Sequence, residues 1–89
     1  MRAESSHQRL QACIRADRLR IARGERPLYH AAWTTVPEGA DVTIRELPII
    51  HLFVPDPSGV PDGARGLIAG KLAVDAASFD LVTAGPLPS

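Results

Sequence analysis

Several residue types that usually anchor a small fold are scarce in this 89-residue chain. One cysteine, Cys13, excludes an internal disulfide, and the absence of any CxxC or Cys/His cluster argues against a structural metal. Aromatic residues number only four, Tyr29, Trp33, Phe53 and Phe79, so Ala, Val, Leu and Ile must fill most of a single small core. Such a core is marginal alone, and a partner or self-association is its natural supplement. No run approaches the roughly 18 to 20 apolar residues of a membrane span, and the Met1 end has no apolar signal core, so a cytoplasmic protein without membrane contact is expected. Lysine is nearly absent. Nine of the ten basic residues are arginine, a bias that suits planar, bidentate contacts with phosphate or carboxylate and that a GC-rich genome also produces.

The net charge is zero, but it is divided along the chain. Residues 1–26 hold seven arginines against Glu4, Asp17 and Glu25, a net of +4. Beyond them, Arg45, Arg65 and Lys71 face seven acids, a net of −4. The molecule is dipolar along its sequence.

Ser5-Ser6-His7-Gln8 has the S-x-x-Q form of a capping box and Gly24 sits where a helix stop belongs, which predicts a helix from about Ser6 to Arg23. Leu10, Cys13, Ile14 and Ile21 fall on one stripe, interrupted by Asp17, while Leu19 points away from it. The alternative ends the helix near Ala16 and reads Arg18 to Arg23 as an alternating strand. Leu28 to Val36 has the β-branched and aromatic content of a strand, with Tyr29, Ala31, Trp33 and Thr35 on one face. Pro37-Glu38-Gly39 reads as a turn, and Val42 to Val54 as a second strand. Pro48 lies inside that run, so it must be an edge strand or carry a bulge there. Val42 and Ile44 are its inward set, and the following IIHLFV is apolar on both faces, which calls for burial on both sides or an interface.

After the Pro55 to Gly59 loop, a second helix is expected from Asp62 or Gly63 with Asp62 as its cap, then a turn capped by Asp75 and a short strand at Phe79 to Val82. Val36 to Ala40 and Val60 to Ala64 are the same V-P-acid-G-A pentapeptide, but their flanks differ, so one turn type is used twice. The expected architecture is α+β: an N-terminal helix over residues 1–24, a ββαβ core over 28–82 with a small mixed sheet packed on one helix, and a tail over 83–89.

That element order resembles the ubiquitin-like β-grasp fold over residues 28 to 82, where VPDGARGLIAGKLAVDAASFDLV is similar to a grasp helix and its following strand. Conjugating members of that fold end in Gly-Gly, whereas this chain ends Gly85-Pro86-Leu87-Pro88-Ser89, so the resemblance does not imply that activity. Ile68, Ala69, Leu72 to Val74, Phe79 and Val82 also resemble the apolar skeleton of a helix-turn-helix. Its reading helix would hold Asp75 and Asp80 and no cation, which DNA phosphates would repel.

No nucleophile motif, phosphate loop or paired carboxylates is present. His30 and His51 form a conceivable two-histidine site across a hairpin, without an obvious third ligand. The expected function is therefore a non-enzymatic interaction module without metal or cofactor, binding a protein partner or its own copies. Its candidate contact residues are Arg9, Arg15, Arg18, Arg20 and Arg23 on the first helix and Ile50, Leu52 and Val54 on the IIHLFV strand. The alternative is nucleic-acid binding through the same arginines, against which stands the lack of interleaved aromatics.

Overall fold

The structure is a computed structural model that describes residues 5–47 and 49–87. Its elements are α1 (Ser6–Ala22), β1 (Leu28–Val36), β2 (Gly39–Ile44), β3 (His51–Val54), a short 3-10 turn (Pro57–Gly59), α2 (Val60–Leu72) and β4 (Asp80–Ala84). This is an α+β chain with a four-stranded mixed sheet in the order β3-β2-β1-β4. β1 runs antiparallel to β2 and parallel to β4, and β2 runs antiparallel to β3. Among the described residues, no helix is long and apolar enough to cross a membrane.

The capping box forms as its residues require: the Ser5 hydroxyl accepts from the Gln8 N–H and the Gln8 side chain accepts from the Ser5 N–H. α1 then continues through Arg18 to Ile21, so the alternating-strand alternative does not occur. The expected long strand from Val42 to Val54 is instead two strands. β2 ends at Ile44 and β3 begins at His51, which makes the unit βββαβ rather than ββαβ. The chain reverses between them, so Asp41 pairs with Phe53 and Thr43 with His51. Pro48, whose place in that run calls for an edge strand or a bulge, lies outside the described residues.

Gly39 is required by packing. An added Cβ would stand 2.1 Å from the Val54 carbonyl oxygen, because the β1–β2 turn lies directly against the end of β3. A Cβ added at Gly85 would stand 2.6 Å from the Trp33 indole nitrogen, and the Leu87 N–H bonds the Trp33 carbonyl at 2.8 Å. Of the stretch expected as a tail, Thr83 and Ala84 belong to β4 and Leu87 lies alongside β1, while residues 88–89 lie outside the described residues.

α2 starts at Val60, with Gly59 at its cap and no side-chain cap bond. Asp62 lies in the first turn, not at the cap, because Pro61 occupies an early helical position where its missing N–H costs nothing. Val60, Ala64, Ile68 and Leu72 recur every fourth residue and are fully buried, forming the ridge that lies on the sheet. Against it stand Tyr29 and Ala31 of β1, Ala40, Val42 and Ile44 of β2, and Val54 of β3. Each large side chain so buried contributes about 1.5–3 kcal/mol.

Both helices cover this face of the sheet. The opposite face, with Leu28, Phe53 and Val82 each nearly half exposed, has no covering layer among the described residues. The connection from α2 to β4 is fastened by Phe79, which is fully buried, meets Tyr29 edge-on at 5.4 Å and lies under the Arg65 guanidinium at 5.3 Å. Arg65 donates to the Ala76 and Phe79 carbonyls, and Arg26 donates to the Ala77 and Phe79 carbonyls and to Asp80. That bond and charge hold the Asp80 carboxyl below its usual range. The Asp75 carboxylate accepts from the Ala77 N–H, closing a turn where a helix-turn-helix would need its reading helix.

Ala73 ends α2 in the left-handed conformation, φ 55°, ψ 47°, a place where glycine is usual. Ala73→Gly is expected to stabilise the fold by about 0.5–1 kcal/mol, read as a higher denaturation midpoint at unchanged slope. Gly39→Ala is expected to lower that midpoint sharply, because the turn and β3 must separate to admit the methyl group.

Candidate functional site

α1 has two working faces. Leu10 is buried in the core, with Cys13, Ile14 and Ile21 partly buried against it. Asp17, which interrupts that stripe, is also buried, and its carboxylate accepts a hydrogen bond of 2.6 Å from the Tyr29 hydroxyl. Burial, then this bond and the charge of Asp17, push the Tyr29 hydroxyl well above the ordinary tyrosine range. Arg20 approaches the other Asp17 oxygen at 3.4 Å.

The outward face presents the other arginines. Arg9, Arg15, Arg18 and Arg23 are exposed and have no ion-pair partner among the described residues. Leu19 lies opposite Leu10 around the helix and is 53% exposed. Arg15 and Arg23 stand one turn before and one turn after it. With Arg15, Arg18 and Ala22 it lines a shallow depression of about 300 Å³. An apolar side chain thus sits in the middle of a cationic surface. Leu19 was visible in the sequence as the one large apolar residue off the stripe, but the pattern alone did not attach it to the arginines as a contact residue.

The strand residues are placed differently. Ile50 and Val54 are buried, and Leu52 is partly buried against the core, where its methyl group and that of Val54 face Gly63 of α2. All three belong to this chain's own interior. The side chains that β3 leaves exposed are His51 and Phe53. The reason is the alternation of the strand combined with the reversal after Ile44: β3 turns its even-numbered residues toward α2, and the run is buried on one side only.

A second depression, of about 370 Å³, opens where β3 begins. His7 and Gln11 of α1 and Lys71 of α2 border it, and Leu10, Ile14 and Leu67 form its apolar lining. Only tertiary packing assembles this set, since nothing in sequence spacing relates His7 to Lys71.

His30 and His51 do not meet. β2 lies between their strands, which puts β1 and β3 roughly 10 Å apart. His30 is engaged by Glu46, which accepts its backbone N–H at 2.7 Å and contacts its Nδ1 at 2.5 Å. Among the described residues, no group of three His, Cys, Asp or Glu side chains is placed to hold a metal ion. Comparison of the chain with known protein families, with curated proteins and with solved structures finds no match. Nothing in the sheet and its two helices identifies a β-grasp fold.

The Tyr29–Asp17 bond has a pH signature. Tyr29 keeps its proton in the folded chain, while the unfolded chain ionises near pH 10. Its contribution is fully present below about pH 10 and is lost as the pH rises above that value. Tyr29→Phe is expected to cost about 1–3 kcal/mol at neutral pH, by leaving the buried Asp17 oxygen unpaired, and to flatten the alkaline fall in stability. Denaturant titrations between pH 7 and 11 measure both effects.

Proposed function

We propose that this chain is a non-enzymatic protein-interaction module that takes an acidic protein surface on the outward face of α1. The observation that carries the reading is Leu19, exposed among Arg15, Arg18 and Ala22 over a shallow depression. Arginine is enriched at the energetic centres of protein interfaces, where its guanidinium forms paired bonds to carboxylates while its stem packs on apolar surface. An apolar anchor ringed by arginines complements an acidic helix or loop with a protruding apolar side chain. A nucleic-acid backbone has charge to offer the arginines but no use for Leu19.

Charge supports the same choice. Nucleic-acid binding through Arg9, Arg15, Arg18, Arg20 and Arg23 would draw on a net positive charge, and the chain has none overall. Arg20 is turned toward Asp17 and Arg26 toward Asp80. The cationic surface left by these pairings is local, which suits one docked element more than a long polyanion.

The discriminating experiment uses two probes of matched charge: a synthetic amphipathic helix of Glu, Leu and Ala, and a single-stranded oligonucleotide. The peptide is expected to bind the wild-type chain more tightly, and Leu19→Asp to weaken it by about tenfold or more while circular dichroism of the chain is unchanged. Tighter binding of the oligonucleotide, with a steep salt dependence and no response to Leu19→Asp, would establish nucleic-acid binding instead. Light scattering of the free chain separates a second copy of this protein from a foreign partner.

A further inference from the structure

β3 and the depression at its start lie outside that reading. β3 is an edge strand: among the described residues only β2 pairs with it, so the peptide groups on its outer side have no strand partner. The depression begins where the strand begins, because Ile49, Ile50 and His51 form one of its walls. Its lining is divided between apolar side chains, Leu10, Ile14 and Leu67 with Ile49 and Ile50, and polar ones, His7, Gln11, His51 and Lys71, and no carboxylate lines it among the described residues. Its volume, about 370 Å³, is near the lower end of the roughly 300–1,000 Å³ typical of binding pockets.

Ile49 is a separate indication. It has φ 61°, a left-handed backbone that is rare for a β-branched residue, and its side chain is 55% exposed beside the depression. Such conformations persist only where the surroundings enforce them, and they cluster at ligand clamps.

Chain direction connects the edge to the depression. A segment added antiparallel to β3 travels opposite to it, so the added segment's C-terminus arrives beside His51. There the depression offers Leu10, Ile14 and Leu67 to an apolar last side chain, and Lys71, His7 and Gln11 to an α-carboxylate. We infer that β3 accepts the C-terminal segment of a partner protein as an antiparallel fifth strand, with an apolar last residue in the depression and the free carboxylate held at Lys71. Main-chain bonds along the edge supply part of the affinity, and the terminal residue and its charge supply the specificity.

The test uses fluorescein-labelled hexapeptides Ser-Thr-Thr-Val-Thr-X, with X as Val, Leu, Ile or Phe, each as free acid and as amide, titrated against the full chain by fluorescence anisotropy. At least one free acid is expected to bind saturably and its amide to bind at least about tenfold more weakly, since the charged pairing is lost. Lys71→Glu, at an exposed position, is expected to weaken the free acid by a similar factor, and His7→Ala, also exposed, by a smaller one. Amide shifts in ¹⁵N spectra are expected on His51 to Val54 and on Gln11. Leu19→Asp leaves this binding unchanged, so the α1 interface and the β3 site fail separately. Equal affinity of acid and amide, indifference to Lys71→Glu, shifts on β4 in place of β3, or no saturable binding by any of the four would overturn the inference.

Discussion

The hydrogen bond from Tyr29 to Asp17 is the interaction on which the placement of α1 depends. α1 buries one leucine, Leu10, and partly buries Cys13, Ile14 and Ile21, so its apolar grip on the rest of the chain is slight. A carboxylate in the middle of such a narrow stripe would weaken the helix's docking if it met only apolar neighbours. It meets the hydroxyl of Tyr29, a buried side chain of β1, instead. The polar interruption thus becomes the bond that fixes how the helix sits, and both surfaces of α1 follow from it. With Asp17 directed inward, Leu19 and its flanking arginines face outward, and His7 and Gln11 come to border the depression beside β3.

Tyr29 also joins this contact to the other end of the core. Its ring meets Phe79 edge-on, and Phe79 is in turn covered by Arg65. In a chain with so few aromatics, two of them placed in contact account for much of the bulk that the small residues Ala31, Ala40 and Ala64 do not provide. Arg26 and Arg65 bond three carbonyls of the connection before β4 and so satisfy backbone acceptors that regular structure leaves open there. Part of the arginine excess is structural for this reason, and the dipole read along the sequence is partly closed within the fold by the Arg26–Asp80 pair.

Much of the fold was legible in local chemistry. The capping box, the strand from Leu28 to Val36 with Tyr29 and Ala31 on one face, the turn at Gly39 and the Asp75 turn each depend on contacts within a few residues, which sequence pattern reports directly. The division of Val42 to Val54 was not legible, because six residues of polar and apolar character without glycine can either extend or reverse, and the choice depends on α2 supplying a surface for Val54 and Leu52. The start of α2 lies two or three residues earlier than the sequence predicts, because Asp62 looks like a cap. Pro61 already tolerates a helical place, and the 3-10 turn before it delivers the chain into the helix. Of the candidate contact residues, the arginines were readable as exposed from their place off the apolar stripe. Ile50, Leu52 and Val54 were not readable as core, since alternation alone does not say which face another element will cover.

By itself the sequence determined what short-range physics controls: an α+β composition, one small core, a helix with cations outside a narrow apolar stripe, and no local catalytic or metal motif. Tertiary structure decided whatever requires two distant segments to meet. It turned Asp17 from an interruption into an anchor, set β2 between His30 and His51, took the even residues of β3 into the interior, and brought His7 beside Lys71. The physical reason is the same in each case. A residue's periodicity states which of its neighbours share its face, whereas the partner across that face is chosen by packing of elements far apart in the chain, where volume, burial and the satisfaction of buried polar groups decide together.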